Sequence, residues 1–384
     1  MRKMVLLIFT AAMVFSSGFS QRSLPADSVI TKFLYQVQTG INQGQPAALN
    51  DAIDLDAMLE ISFTALPATE DQKQNYINEI RANFNLGDEI IRSIEKGGHY
   101  TVMDYESVRD TLVALYRIVG NGLNYHEYLM TYDGQLKIFD IYVYKTGEYL
   151  SETFRLRLQP ALAQDSAYLD RLKTIRQGAF DREMRFIEDI QKLPLLKQAI
   201  ASRQYHQAHQ LYDGLEVMAK QVRSFQLLNI LAVSQFSDSL AERYTRYYNS
   251  LYPNDLSLNL RLINPYFTRG KFDEAISCID RLMKNFGEDG YLEYLKSNIY
   301  QTMQNESAFL EHARRAIEYE PWLMEPYRSL IDHLLLQKQY REVISLMDAL
   351  KKNTGIVYKE SDMQKDDSFR EFLASPEYNA ARNQ

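Results

Sequence analysis

The sequence predicts an α+β domain, helices packed on a curved antiparallel sheet, followed by an all-α solenoid of helical hairpins. Units starting at Val222, Leu256, Gly290 and Met324 recur at a constant step of 34 residues, a period that belongs to paired, stacked helices. Upstream, runs of aromatic and β-branched residues are separated by Gly120-Asn121-Gly122, Asp133-Gly134 and Gly147, the punctuation of a strand meander. Before those runs, from Asp27 to Phe84, apolar residues recur at helical spacing instead.

Taken in order, Val29, Ile30, Phe33, Leu34, Val37 and Ile41 mark a first amphipathic helix that closes near Gly40 to Gln45. A short helical stretch over 46–53 leads to Met58, Leu59, Ile61 and Phe63, and Pro67 stops the chain. Thr69 with Gln72 three residues on reads as a capping box, opening a long helix through Asn75, Ile77, Ile80 and Phe84. From Gly97 the period changes to strand, with runs over 100–105, 111–119, 124–132, 136–144 and 149–154. Residues 159–192 return to helical spacing, interrupted near Gly178, with charges of alternating sign that fit a solvated face.

Within each later unit two helical patterns follow one another. Leu256, Leu258, Leu262, Ile263 and Tyr266 share a stripe, Gly270 and Lys271 break it, and Phe272, Ala275, Ile279 and Leu282 resume it. Ala241 and Ala275 sit one unit apart, and Phe309 and Val343 stand at the same place in the other units. Pro253 and Pro321 close their units two steps apart, and Gly270 occupies the inter-helix turn where Phe236, Gln304 and Lys338 stand elsewhere. A further pair is readable upstream, with Ala201 to Tyr205 as its turn and Ala208, Tyr212 and Leu215 after it. On these residues the stretch from Leu193 to Gly355 resembles the tetratricopeptide repeat. The helices-then-meander order over 27–157 looks like a nuclear-transport-factor-2-like or cystatin-like fold, by topology alone. The expected organisation is therefore a leader over 1–20, an α+β domain over 21–158, a helical connector over 159–192, repeats over 193–357 and a capping segment over 358–384. The last carries Phe369, Phe372, Leu373 and Tyr378, apolar residues suited to shield a terminal unit.

Arg2 and Lys3, the apolar run 4–15 and the small residues Gly18 and Ser20 describe a secretory signal peptide, with a mature chain from Gln21 bound for a periplasm or the cell exterior. No later stretch has the apolar length of a transmembrane helix. Cys278 is the single cysteine, so no internal disulfide forms, and a formal net charge of −7 argues against a nucleic-acid partner. No catalytic, cofactor-binding or metal-binding motif stands out.

The tetratricopeptide resemblance implies a concave groove lined by the first helix of every unit, in which a protein or peptide partner is held. Asn264, Asn298 and Asp332 fall one repeat apart there, flanked by Phe267, by Tyr291 and Tyr294, and by Arg328. Side-chain amides bond both donors and acceptors of a peptide backbone, and Arg328 can grip a carboxylate in two places. The second asparagine and the basic pair that hold a chain terminus in some members of the family are replaced, Leu295 and Glu325 standing in their positions.

A second reading places a small-ligand or enzymatic pocket in the sheet domain. If Asp133-Gly134 is a two-residue turn, Tyr128 pairs with Phe139, Glu127 with Asp140 and His126 with Ile141. Glu127 and Asp140 would then face each other at roughly 5 Å between β-carbons, an arrangement that raises the proton affinity of one of them, with Tyr125 and Tyr142 alongside. A third reading is self-association through the sheet domain. The expected function is non-enzymatic protein binding, with no cofactor and no metal.

Overall fold

The computed structural model of the protein describes residues 25–95 and 97–382. The expected leader, 1–20, lies outside the described residues. The chain forms two compact units, Met1–Pro265 and Tyr266–Gln384.

The first unit opens with α1 (Asp27–Asn42), α2 (Ala47–Asn50), α3 (Leu55–Phe63), α4 (Glu70–Asn83) and α5 (Leu86–Ile94). Thr69 and Gln72 cap α4 reciprocally, Gln72 N donating to Thr69 Oγ1 at 3.3 Å and Thr69 N to Gln72 Oε1 at 3.0 Å. The spacing had run one helix to Phe84; α5 is an additional helix that restarts where Asn85 accepts from Asp88 N at 3.1 Å.

The strands β1 (His99–Val108), β2 (Thr111–Gly120), β3 (Gly122–Tyr132), β4 (Leu136–Val143) and β5 (Glu148–Tyr149) form one antiparallel sheet in chain order. The fifth strand, expected over 149–154, is two residues long because α6 (Leu150–Leu162) begins at once. Glu152 turns back to accept from Tyr149 N at 3.0 Å, and Asp140 accepts from Ser151 N at 3.2 Å, so the first free amides of α6 find carboxylates.

One face of the sheet makes the main core. Tyr100, Tyr116, Tyr128, Met130, Ile138 and Ile141 pack with Leu34, Val37 and Ile41 of α1 and with Met58, Leu59 and Phe63 of α3. Its buried hydroxyls are bonded, Tyr100 donating to Tyr128 Oη at 2.6 Å and Tyr116 to Leu34 O at 2.9 Å. The outer edge of β1 is closed by α1, whose Gln38 and Asn42 side chains accept from Val102 N at 2.7 Å and Tyr100 N at 3.0 Å.

The connector is three helices, α6, α7 (Ser166–Ile175) and α8 (Phe180–Ile190), with the second break at Gly178, φ 74°. Then come α9 (Leu193–Ala201), α10 (Tyr205–Asp213), α11 (Val217–Lys220), α12 (Arg223–Val233) and α13 (Asp238–Leu251). Helix α14 (Ser257–Thr268) contains the division between the two units, at Pro265.

The second unit comprises the end of α14, then α15 (Phe272–Phe286), α16 (Gly290–Thr302), α17 (Glu306–Tyr319), α18 (Met324–Leu336) and α19 (Tyr340–Thr354). The second helix of each pair starts at Asp238, Phe272, Glu306 and Tyr340, a step of 34 throughout. The preceding turn residue is left-handed at Gly270 (φ 71°), and also at Gln304 and Lys338 (both φ 57°), although these carry side chains. That conformation costs a residue with a β-carbon roughly 1 kcal/mol, so helix pairing imposes it against local preference. Met363, Phe369 and Phe372 pack against Ile331, Leu334, Leu335 and Val343, so the carboxy-terminal segment covers the last helix pair. Among the described residues no helix is long and apolar enough to cross a membrane.

Candidate functional site

The sheet face turned away from the main core holds the predicted pocket residues, but not in the predicted register. Glu127 pairs with Tyr142, and Asp140 pairs with Leu129. Two slips of one residue each account for this. The hairpin loop has three residues, since the first pair is Tyr132 with Leu136, and a bulge between Leu129 and Met130 leaves Phe139 without a partner position. One slip would have reversed the faces; two restore them, so Glu127 and Asp140 share a face without standing opposite each other.

Each carboxyl is engaged separately. Asp140 accepts from Ser151 Oγ at 2.5 Å, from Ile141 N at 2.9 Å and from Ser151 N at 3.2 Å. Burial pushes it up to about 7 against those three donors, and the Glu152 charge adds to the rise. Glu127 accepts from Tyr144 Oη at 2.5 Å; burial pushes it up to about 7, the Tyr144 hydroxyl opposes this, and Asp255 and Glu106 reinforce it. Glu148 rises to about 7 by burial, although it accepts from Ser224 N at 3.3 Å.

Tyr125 and Tyr142 lie on this face as expected, both buried. Tyr144 meets Tyr125 edge-on at 6.3 Å and Tyr142 edge-on at 5.0 Å. The groups that complete the cluster come from the helices that follow. Arg223 of α12 pairs with Glu152 at 3.2 Å and lies over the rings of Tyr142 at 5.5 Å and Tyr252 at 4.9 Å. Ser257 Oγ is 3.0 Å from Tyr142 Oη, and Tyr248 donates to Asp255. No spacing in the sequence connects these residues, because they meet only once α12, α13 and α14 dock on β4 and β5. His126 lies on the opposite face, buried, and burial holds it down at about 3. Among the described residues no three His, Cys, Asp or Glu side chains come together as a metal-binding set.

Of the predicted ladder, Asn264 is exposed on α14 in the first unit, immediately before Pro265. In the second unit Asn298 is half-buried on α16, with the Tyr291 and Tyr294 rings 5.7 Å apart on the same helix. Asn298 and Asp332 each stand eight residues into their helices, at Gly290 plus eight and Met324 plus eight. Arg328 and Asp332 are exposed, and Phe267 packs against Phe272 at 5.9 Å between centroids. The Asp332 carboxyl is raised by partial burial and by Asp366, while Arg328 lowers it; the same three charges act on the Tyr358 hydroxyl. The carboxy-terminal segment thus packs against α18, the helix that carries Asp332.

Sequence reasoning passed over the buried lock between α16 and α17. Glu293, 2 % exposed, is 2.5 Å from His312 Nδ1, and the His312 ring stacks on Tyr300 at 5.0 Å. His333 and Glu306 join α18 to α17 at 2.9 Å. A Glu or His on a mostly apolar stripe was the available signal.

No known protein family, characterised protein or solved structure matches this chain.

Proposed function

We propose that the protein is an exported, non-enzymatic binding module, its helix pairs forming a tetratricopeptide-like solenoid whose first helices hold a protein or peptide. The observation that carries the reading is the 34-residue step of the second helices from Asp238 to Tyr340. The left-handed turns at Gly270, Gln304 and Lys338 keep the same step, so one hairpin geometry recurs despite different side chains. In such an array Tyr291, Tyr294 and Asn298 supply aromatic area and an amide on one helix, and Arg328 a cation on the next. The carboxyl groups of the sheet domain, by contrast, are taken up by Tyr144, Ser151 and Ser224, which favours the helices over the sheet as the working surface.

The test is quantitative capture from the extracytoplasmic fraction of the producing cell with the full chain and with the Asn298→Ala, Arg328→Ala double variant. Loss of the same captured polypeptide with the double variant, restored by the parent chain, supports the groove. Equal capture by both removes it.

A further inference from the structure

We propose that the seam where α12, α13 and the start of α14 dock on β4 and β5 is a proton-operated latch, held shut while Glu127 and Glu148 carry protons and released when they lose them.

The latch follows from what crosses the seam. Glu148 of β5 is buried and accepts from Ser224 N in the first turn of α12 at 3.3 Å and from Thr153 Oγ1 of α6 at 3.5 Å. Glu127 of β3 is half-buried, and its carboxyl is held by the hydroxyl of the buried Tyr144 at 2.5 Å. From Tyr144 a continuous chain of contacts reaches the helices. The Tyr144 ring meets the Tyr142 ring at 5.0 Å, and Tyr142 Oη lies 3.0 Å from Ser257 Oγ at the start of α14. Ser257 N then donates to Asp255 Oδ1 at 2.8 Å, and Tyr248 of α13 donates to the other Asp255 oxygen. The turn between β4 and β5 is seated as closely, since a β-carbon on Gly147 would lie 2.5 Å from Leu227 Cδ1 and 3.5 Å from Tyr248 Oη.

The donors that hold Glu127 and Glu148 are all neutral, so a negative charge on either carboxyl would be taken out of water with little to offset it. Arg223, the cation that touches the chain at Tyr142 Oη, is already paired with Glu152 at 3.2 Å. Facing Glu127 are two more carboxyls, Glu106 of β1 and Asp255 between α13 and α14, with the hydroxyls of Tyr144 and Tyr149. Facing Glu148 are Glu152 of α6, Lys197 of α9 and the Tyr252 hydroxyl at the end of α13. Burial pushes both carboxyls from 4.5 up to about 7, against Tyr144 at Glu127 and Ser224 at Glu148. When the helices lift and water reaches the two groups, each releases its proton near 4.5 instead. The shut state therefore binds more protons than the open one between 4.5 and about 7; its advantage is complete below 4.5 and is lost as pH rises through about 7. Within that window opening becomes about tenfold more favourable per pH unit for each carboxyl, and about a hundredfold for the two. Asp140 takes no part, because its donors belong to β4 and α6.

The experiment is amide hydrogen exchange of the full chain, resolved by peptide mass spectrometry at about pH 5.5, 6.5 and 7.5 and corrected for the intrinsic exchange rate at each pH. Over 223–262, protection in the parent should fall about a hundredfold between the first two values. The fall should shrink to about tenfold in Glu127→Gln and in Glu148→Gln and vanish in the double variant, because glutamine has the shape of the neutral acid and no proton to lose. Asp140→Asn should follow the parent, and α1 and α3, on the other face of the sheet, should stay protected throughout. Protection that does not change with pH in the parent overturns the proposal, as does an undiminished fall in the double variant. A loss shared equally by α1 and α3 also overturns it, since the whole unit would then be unfolding. Should the double variant fail to fold, the two single variants decide. The groove variant Asn298→Ala, Arg328→Ala should keep the parent's pH response, so the two readings fail independently.

Discussion

Replacing Asp140 by asparagine separates two influences that oppose each other at one buried carboxyl. Burial pushes the group from 3.8 up to about 7, while the Ser151 hydroxyl and the Ile141 and Ser151 amides at the start of α6 pull it down. The folded chain keeps this proton up to about pH 7, whereas the unfolded chain releases it near 3.8, so between those values the folded state binds more protons. The stability contributed by the raised carboxyl is fully present below 3.8 and is lost as pH rises through about 7. At roughly 1.4 kcal/mol per pH unit, the rise from 3.8 to about 7 amounts to about 4 kcal/mol. Asparagine has no proton to release and lacks this slope. Urea unfolding followed by circular dichroism at about pH 4, 6 and 8 should show the parent losing about 4 kcal/mol relative to Asp140→Asn across the series. The other shifted groups, Glu127 and Glu148 near 7 and His99 and His126 near 3, cancel in the difference between the two proteins. A difference that stays constant with pH would refute the reasoning: the donors at the start of α6 would then outweigh burial, and the carboxylate would be charged in the fold.

Gly147→Ala should lower stability by about 2 kcal/mol or more in urea unfolding, because the position is left-handed and the added methyl collides with Leu227. Glu293→Ala should cost about 3 kcal/mol, since it leaves His312 buried without its carboxylate partner between α16 and α17; an unchanged unfolding midpoint would show that the pair contributes nothing net. Gln304→Gly and Lys338→Gly should each be neutral to stabilising by up to about 1 kcal/mol, while Gly270→Ala should destabilise by a similar amount, all three read from thermal unfolding.

Helical and strand stretches were legible wherever a chemical signal was local. The capping box at Thr69, the helical break at Gly178 and the 34-residue helix step all rest on residues close in the chain. The register of β3 on β4 was not legible, because a bulge depends on how both strands pack and not on the Asp133-Gly134 signal between them. The early end of the fifth strand was not legible either. Residues 149–154 have the composition of a strand, but carboxylates of Asp140 and Glu152 sit where a helix start needs acceptors.

The sequence by itself determined periodicity, and with it the α+β opening, the paired helices after it and the places of Asn298, Arg328 and Asp332 on those helices, because period and capping act within a few residues. Tertiary structure alone decided which charges meet. Glu127 was given to Tyr144 and Asp140 to Ser151, and Arg223 was laid between Tyr142 and Tyr252. Those encounters join residues far apart in the chain, and they arise only when α12 to α14 bury apolar surface against the second face of the sheet, a packing event that no local pattern encodes.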